Sequence, residues 1–570
     1  MLKKIVIIFI IFFAFFLRIY RINSFPPGLY SDEAAYAYNS YSLLKTTKDE
    51  YGKTFPLAFK SFGDYKPPLT AWLMIPSIAI FGLNEFAIRL PSALSGTLAV
   101  IFVYFLAAEI FRAKDNKKEK YFNLIPPISA LLLAISPWHL HFSRSNMLVG
   151  LETMLTTGGV LFFLKGLKNP KLLLVSSLLF SASIYSYYGA RVTTVLLVLS
   201  LFIIYFKKLL KLLKFVLLGF TVGIIFLSPL ILSGIKDSQT FLGRTKTISI
   251  FFDPGIKGKL WEAHTLSGPT YPVILSRIFH NKPYFYMQDA FRRYLQHFSF
   301  DFLISSGDPH PPFDIPNMGQ VYALEIPFFF YGLFLLIKKQ NNEKNVLLAC
   351  LLISPISAAF TFITPSANRA ANFVIPFTII SALGLATFFG FIKRKKPRLM
   401  KPSVAVITLS FIAFFAYYLY QYYVSIPHKI PQSWHFGRKE MVAKVTKYEN
   451  NFNKVVLTER EGPTYIWLLL YKKYDPRKYW QSAKVSKDPD YLGWLHVESF
   501  DKYYFVTDLE WEKTKKEPGV LYVAYKNQLP DSWEGKIESS DYKLLIDDKI
   551  FFPDGTIAYK LGHLENTRPK

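Results

Sequence analysis

The chain contains a single cysteine, Cys350, in 570 residues. One thiol excludes an internal disulfide and any cysteine-based metal cluster. Acidic residues are also scarce, 40 against 67 lysines and arginines, for a net charge of +27. Nowhere does a Gly-rich GxxxxGK[ST] loop appear, which argues against a cytoplasmic nucleotide-driven pump. There is no internal repeat and no low-complexity linker. Apolar residues, by contrast, make up 51% of the chain and aromatics 17%, and the mean hydropathy is +0.22. Disorder, a collagen-like structure and a small disulfide scaffold are excluded by that composition.

A basic balance this large points either to nucleic acid or to cytoplasmic loops of a membrane protein. The placement of the charges decides. Eleven stretches are apolar enough to be read as membrane-spanning helices: 4–22, 85–111, 121–137, 150–165, 171–187, 190–206, 213–234, 321–338, 345–363, 371–392 and 402–422. The first has no small-residue cleavage site and is followed by Arg18, Arg21 and Phe25-Pro26-Pro27, so it reads as an anchor rather than a signal peptide. With the N-terminus in the cytoplasm, the short connections 112–120, 165–171, 207–214, 338–344 and 393–401 are cytoplasmic. With Lys3 and Lys4 they hold 23 basic and three acidic residues, so about +20 of the +27 lies there. That is the positive-inside pattern. It accounts for the charge without nucleic acid, and it makes the chain a multi-pass protein of the plasma membrane.

The segments outside are then 23–84, 138–149, 188–189, 235–320, 364–370 and 423–570. The stretches 68–83 and 34–47 read as helices lying along the outer surface. The last segment is long enough for a domain. It alternates helix-like stretches (437–449, 462–473) with strand-like ones (Val455–Leu457, Tyr503–Val506, Val520–Ala524, Ile557–Leu561). The expected fold is a mostly α-helical polytopic membrane protein. Its membrane domain is 1–422, with loops 23–84 and 235–320 at the active face, and an extracytoplasmic α/β or α+β domain follows over 423–570.

Polar residues that could carry chemistry gather on the outer side. Asp32 and Glu33 are adjacent carboxylates after the first span. They read as a general base or, equally well, as the acidic first turn of a helix capped by Ser31 or Asp32. In Asp64-Tyr65-Lys66-Pro67-Pro68 the prolines start a helix and set Lys66 at the membrane surface, to meet a lipid phosphate or simply to snorkel. Arg144 and Glu152 are expected as an ion pair at the mouth of two helices, since an acid this close to the apolar run needs a partner. His139 and His141, two apart, do not share a helical face, so they make a weak metal site. Arg191 and Arg369 carry forks suited to phosphate, or anchor the interface. Asn368 lies beside Arg369. Asp308 and His310, in Gly307-Asp308-Pro309-His310-Pro311-Pro312, read as a turn first and a substrate loop second. Arg277 and His280, with many aromatics, occupy the same long loop.

The order of these features resembles the polytopic glycosyltransferases of the GT-C fold. It comprises the outer Asp-Glu, the Lys-Pro-Pro-Leu helix, Gly82-Leu83-Asn84-Glu85-Phe86-Ala87-Ile88-Arg89-Leu90-Pro91-Ser92, the Arg144…Glu152 loop and the Pro365-Ser366…Arg369 loop. It is similar to the protein O-mannosyltransferases, the aminoarabinose transferases of lipid A and the bacterial RgtA/B/C/D-like relatives, over roughly residues 1–422. The resemblance implies inverting transfer of a hexose or pentose from a polyprenyl-phosphate-linked donor to an acceptor hydroxyl or amine outside the cell. It puts the base at Asp32, with Glu33 beside it. Lys66 contacts the donor phosphate, supported by Arg369, Arg144 and Arg191. Tyr65, Glu152, His141, Asn368, Asp308 and His310 are the candidate substrate contacts. Where many relatives carry an aspartate in the second outer loop, the nearest acid here is Glu152. The scheme needs no cofactor and no metal. The acceptor, whether a protein, a lipid or a cell-wall glycan, is not specified. A transporter or flippase of a lipid-linked sugar is the alternative, though the acids cluster at the outer edge rather than the midplane. A receptor built on the outer domain leaves the ordered motifs unexplained.

Overall fold

The computed structural model describes residues 2–111, 117–252, 254–266, 280–338, 342–488, 495–538 and 540–567, with positions 272, 274 and 278; Arg277 lies outside them. The chain forms two compact units, Met1–Tyr20 with Leu90–Tyr422, and Arg21–Arg89 with Tyr423–Lys570. These divisions are not the sequence-based ones: the first outer loop groups with the C-terminal segment.

The first unit is helical. Each of the eleven apolar stretches carries helix, but with more breaks than the composition implies. Among the described residues four helices are long and apolar enough to cross a bilayer: Glu85–Ile110, Leu213–Lys236, Ala371–Lys395 and Pro397–Lys429. A fifth arises if the bent pair Tyr121–Ile135 and Pro137–Arg144 is counted as one. The 56° bend in that pair has a local cause. Ser136 precedes a proline, which disfavours helical backbone at Ser136. Ser136 then caps the new helix, its hydroxyl accepting from His139 N at 3.4 Å. The stretch 345–363 likewise breaks, into Asn342–Ile353 and Ile356–Ala359, at Ser354-Pro355. Elsewhere the helices pack tightly through small residues. A Cβ on Gly384 would stand 1.9 Å from Phe328 O, so the helices Glu325–Lys338 and Val374–Lys395 meet backbone to backbone. Bringing backbones close through small residues is how helices associate where lipid removes the hydrophobic drive.

The second unit is built on an eight-stranded mixed sheet. Its strands are β3 (Lys454–Thr458), β4 (Lys484–Val485), β5 (Val497–Phe500), β6 (Tyr503–Val506), β7 (Val520–Tyr525), β8 (Glu534–Ile537), β9 (Ser540–Phe551) and β10 (Ile557–Asn566). A separate hairpin of β1 (Phe59–Ser61) and β2 (Asp64–Lys66) comes from the first outer loop. The sheet order is β4-β5-β6-β3-β7-β10-β9-β8, and β3 pairs parallel to both β6 and β7. A central strand with parallel partners is buried on both faces and needs an uninterrupted apolar run, which Val455, Val456 and Leu457 supply. The connection from β3 toward β6 carries the helices Tyr465–Tyr471 and Pro476–Ser482.

The helix Ser31–Thr46 packs against both of these helices and against Leu69–Phe81. Ala34 through Ser40 are all buried. It is therefore a core helix of the second unit rather than one laid on an outer surface. Its spacing of small and aromatic residues, which reads as one apolar face, is filled on several sides instead. A Cβ on Gly28 would stand 2.0 Å from Trp434 O, so the loop before this helix lies directly against the C-terminal segment.

Candidate active site

In the second unit, Tyr30 sits at the N-cap of the helix Ser31–Thr46, which places Asp32 and Glu33 in the first turn. There both acids face the positive end of the helix dipole. They take different partners. The Glu33 carboxylate turns back to accept from Tyr30 N at 2.9 Å. It also accepts from Arg89 Nε at 3.0 Å, and neither side chain is exposed. The Arg89 guanidinium further donates to Ile22 O at 3.0 Å, to Pro26 O at 3.1 Å and to Gly28 O. It thereby fixes the loop that delivers Asp32. Arg89 stands in the quoted motif, but its neighbours in sequence gave no sign of this role.

Asp32, with 34% of its side chain exposed, accepts from Lys66 Nζ at 2.6 Å. The Lys66 side chain is only 7% exposed. Its ammonium also lies 3.8 Å from Asp64 Oδ2 and 5.4 Å from the centre of the Phe62 ring. Lys66 ends β2, opposite Phe59 of β1, and Tyr65 stands opposite Lys60. The structure thus brings Asp32, Lys66, Asp64 and, one residue away, Tyr65 together. Of the ion-paired groups the Asp32 carboxylate is the most exposed, ahead of Asp64 at 12% and Lys66 at 7%.

In the first unit the expected Arg144–Glu152 pair does not form. The helix carrying Arg144 ends there, Leu148 takes a positive φ of 72°, and a new helix starts at Val149. The eight-residue spacing therefore does not bring the two side chains onto one face. Buried Arg144 instead donates to Leu17 O and to Tyr20 O, the latter at 2.7 Å, and packs over the Tyr422 ring. Buried Glu152 accepts from Asn372 Nδ2 at 2.8 Å and Thr193 Oγ1 at 3.4 Å, both on Oε1. His139 Nδ1 accepts from Arg18 at 2.8 Å, and His141 Nε2 bonds Pro312 O at 2.9 Å. Among the described residues no group of three or more His, Cys, Asp or Glu is arranged to hold a metal ion.

The loop bearing Asn368 and Arg369 is held from two sides. Asp308 accepts from Ala367 N at 2.6 Å and from His310 N at 2.7 Å. His297 Nε2 accepts from Ser366 N at 3.0 Å. Burial pushes the Asp308 carboxyl up to about 6, against the pull of its backbone donors and of Arg369. Burial also pushes the His297 imidazole down to about 4, so at neutral pH it accepts through Nε2 as the geometry requires. Asp308 and His310 thus serve the turn. Arg369 donates to Thr361 Oγ1 at 2.9 Å and Ile363 O at 3.1 Å. Arg191 donates to Thr240 O at 3.2 Å and lies over the Tyr188 ring. Tyr187 lies in the field of Arg369, Glu152, Arg244 and Asp308. This makes Arg244 a member of the polar cluster that sequence reasoning missed; it stands alone in its stretch of the long loop.

Residues 65–232 match the model of the dolichyl-phosphate-mannose-protein mannosyltransferase family. This match, over less than a third of the chain, agrees with the resemblance to GT-C glycosyltransferases read from the sequence. No curated protein matches the chain. Among solved structures, the archaeal oligosaccharyltransferase AglB from Archaeoglobus fulgidus, in complex with an inhibitory peptide and a dolichol-phosphate, is similar at 14% identity over 82% of this chain, with a TM-score of 0.48. The chain spans 63% of the length of that protein. ArnT from Cupriavidus metallidurans bound to undecaprenyl phosphate is similar at 12% identity, over 82% of this chain and 85% of its own, with a TM-score of 0.49.

Proposed function

We propose that the chain is an inverting glycosyltransferase that moves a sugar from a polyprenyl-phosphate-linked donor to an acceptor hydroxyl or amine on the extracytoplasmic face, with eleven spans and a cytoplasmic N-terminus. The observation that carries this reading is the Asp32–Lys66 pair. One exposed carboxylate and one recessed ammonium are held together by elements of a single unit, while the neighbouring Glu33 is engaged elsewhere.

The donor's phosphodiester brings negative charge to Lys66 and competes with Asp32 for the ammonium. Asp32, relieved of its partner, accepts the proton of the attacking acceptor group as the new glycosidic bond forms at the anomeric carbon. The bond from that carbon to the phosphate oxygen breaks on the opposite side, which inverts the centre. The phosphate departs as an anion without a general acid, its charge met by Lys66. Glu33 and Arg89 are positioning residues in this scheme. In the first unit Arg369 and Arg191 are the candidate lipid-phosphate contacts, and Glu152, with Asn372, is a candidate sugar contact. No step calls on a metal.

The test is release of free polyprenyl phosphate from a panel of polyprenyl-phosphate sugars, by full-length protein in detergent supplied with membrane extract as the acceptor source. Release by wild type and not by Asp32→Asn supports the reading. Equal release by both sinks the base assignment. Movement of the intact lipid-linked sugar across a proteoliposome bilayer without release would replace transfer by transport.

A further inference from the structure

Glu50 is a fully buried acid that the scheme above does not use, and its partners are informative. Its Oε1 accepts from Ser61 Oγ at 2.9 Å and from Tyr465 OH at 3.2 Å, and its Oε2 from Asn39 Nδ2 at 3.2 Å. Its backbone N–H donates to Asn39 Oδ1 at 3.0 Å. Each partner belongs to a different element. Asn39 lies on the helix Ser31–Thr46, seven residues and two turns after Asp32 and on the same face. Ser61 is on β1, directly opposite Asp64 of β2, the strand that ends in Lys66. Tyr465 is on the helix Tyr465–Tyr471, from the C-terminal segment.

We infer that Glu50 and Tyr465 form a positioning clamp that sets the distance between Asp32 and Lys66, so that the segment 423–570 completes the catalytic pair. The inference rests on the reading of Asp32 and Lys66 as base and phosphate contact.

Other contacts run in the same direction. The Tyr465 ring meets the edge of Phe62 at 6.0 Å, and Phe62 is the ring over which Lys66 lies. The loop that carries Glu50 is itself held by the C-terminal segment, with Trp480 Nε1 donating to Asp49 O at 3.1 Å. Asn39 bonds Ser61 Oγ as well, at 3.3 Å, which ties helix to hairpin directly. A carboxyl group with two oxygens can join several partners where a single hydroxyl could not. The groups facing it are Asp49, Lys66, Tyr38, Tyr51, Tyr465 and Tyr479. Burial, the largest influence, lifts its carboxyl to about 8, with Asp49 raising it further and Ser61, Tyr465 and Lys66 opposing.

The experiment reads the clamp at Lys66 itself. Full-length protein in detergent is treated briefly with acetic anhydride, and acetylation of Lys66 is quantified by peptide mass spectrometry against exposed Lys45, in the last turn of the helix Ser31–Thr46. Ser61→Ala and Tyr465→Phe each remove one hydroxyl. Both are expected to raise Lys66 acetylation several-fold over wild type while leaving Lys45 unchanged, and Ser61→Thr, which keeps the hydroxyl, is expected to restore protection. In the release assay the two variants are expected to lose kcat by about ten- to a hundredfold, as a displacement on the order of 1 Å does, with a smaller change in KM. Unchanged Lys66 acetylation in both variants overturns the clamp. Should Ser61→Ala not fold, Tyr465→Phe decides alone, being the milder change. Because labelling does not depend on turnover, an inactive wild type would count against the proposed function and leave this result standing.

Discussion

Glu33 and Arg89 form an ion pair with no exposure on either side chain, and the same guanidinium binds the carbonyls of Ile22, Pro26 and Gly28. Removing one member of a buried pair leaves an uncompensated charge, at a cost of roughly 3–5 kcal/mol. Arg89→Met is therefore expected to lower the thermal stability of the second unit sharply or to prevent its folding. Arg89→Lys rescues the charge but not the fork, and should recover only part. Differential scanning fluorimetry in detergent separates the three proteins. A wild-type melting temperature for Arg89→Met would show that the pair does not hold the loop.

Asp32 differs from Glu33 in what it risks. Its carboxylate is partly exposed and makes one close ion pair, so Asp32→Asn should fold normally. Loss of a general base typically costs about 10²- to 10⁴-fold in rate. That loss, with a wild-type melting temperature, is the expected result for Asp32→Asn in the polyprenyl-phosphate release assay. Glu33→Gln should show the reverse emphasis, with stability falling before chemistry.

Asp308 makes the stability of its loop depend on pH. Its folded-state pKa is raised to about 6, with burial the largest cause. The folded protein therefore holds a proton there that the unfolded chain gives up near the ordinary aspartate value. That contribution is fully present below about pH 4 and is lost as pH rises toward 6, at about 1.4 kcal/mol per pH unit. Asp308→Asn removes the slope, so the stability gap between wild type and variant should narrow from pH 4 to pH 6 and then stay constant. Parallel curves across that window would mean the carboxyl does not titrate there.

The charge pattern makes a topological prediction. In a Cys350→Ala background, Lys513→Cys in the C-terminal segment should react with a membrane-impermeant maleimide on intact cells. Lys395→Cys, in the basic connection after the tenth apolar stretch, should react only after permeabilisation. The opposite result for both would invert the orientation.

How far the sequence could be read depended on whether the information was local. The strands at Val455, Tyr503 and Val520 were legible because their apolar and aromatic runs are continuous, and the one at Ile557 because Lys560 alone interrupts its run. The long β9 was not: Ser540–Phe551 mixes Asp541, Lys543, Asp547, Asp548 and Lys549 with apolar residues, and most of it is only half-buried. The apolar stretches were legible as helices, but their breaks at Ser136 and Ser354 depend on single prolines. Arg144 and Glu152 looked like partners because spacing was extrapolated through a helix end. Arg89, Glu50 and Arg244 were missed for a common reason. Each takes its meaning from residues far along the chain, such as Tyr465 for Glu50, and no periodicity encodes such a meeting.

The grouping of residues 21–89 with 423–570 also orders events during synthesis. The first outer loop emerges early, yet the Tyr465 hydroxyl that meets Glu50, the Trp480 indole that holds Asp49 and the Trp434 carbonyl against Gly28 all arrive more than 400 residues later. At ribosomal rates of about 5–20 residues per second, that is an interval of roughly 20–85 s. Throughout it the helix beginning at Ser31 has part of its core missing. A chain that stops before residue 423 is thus left with an unfinished first loop as well as a lost tail, and this gives quality control an early feature by which to recognise it.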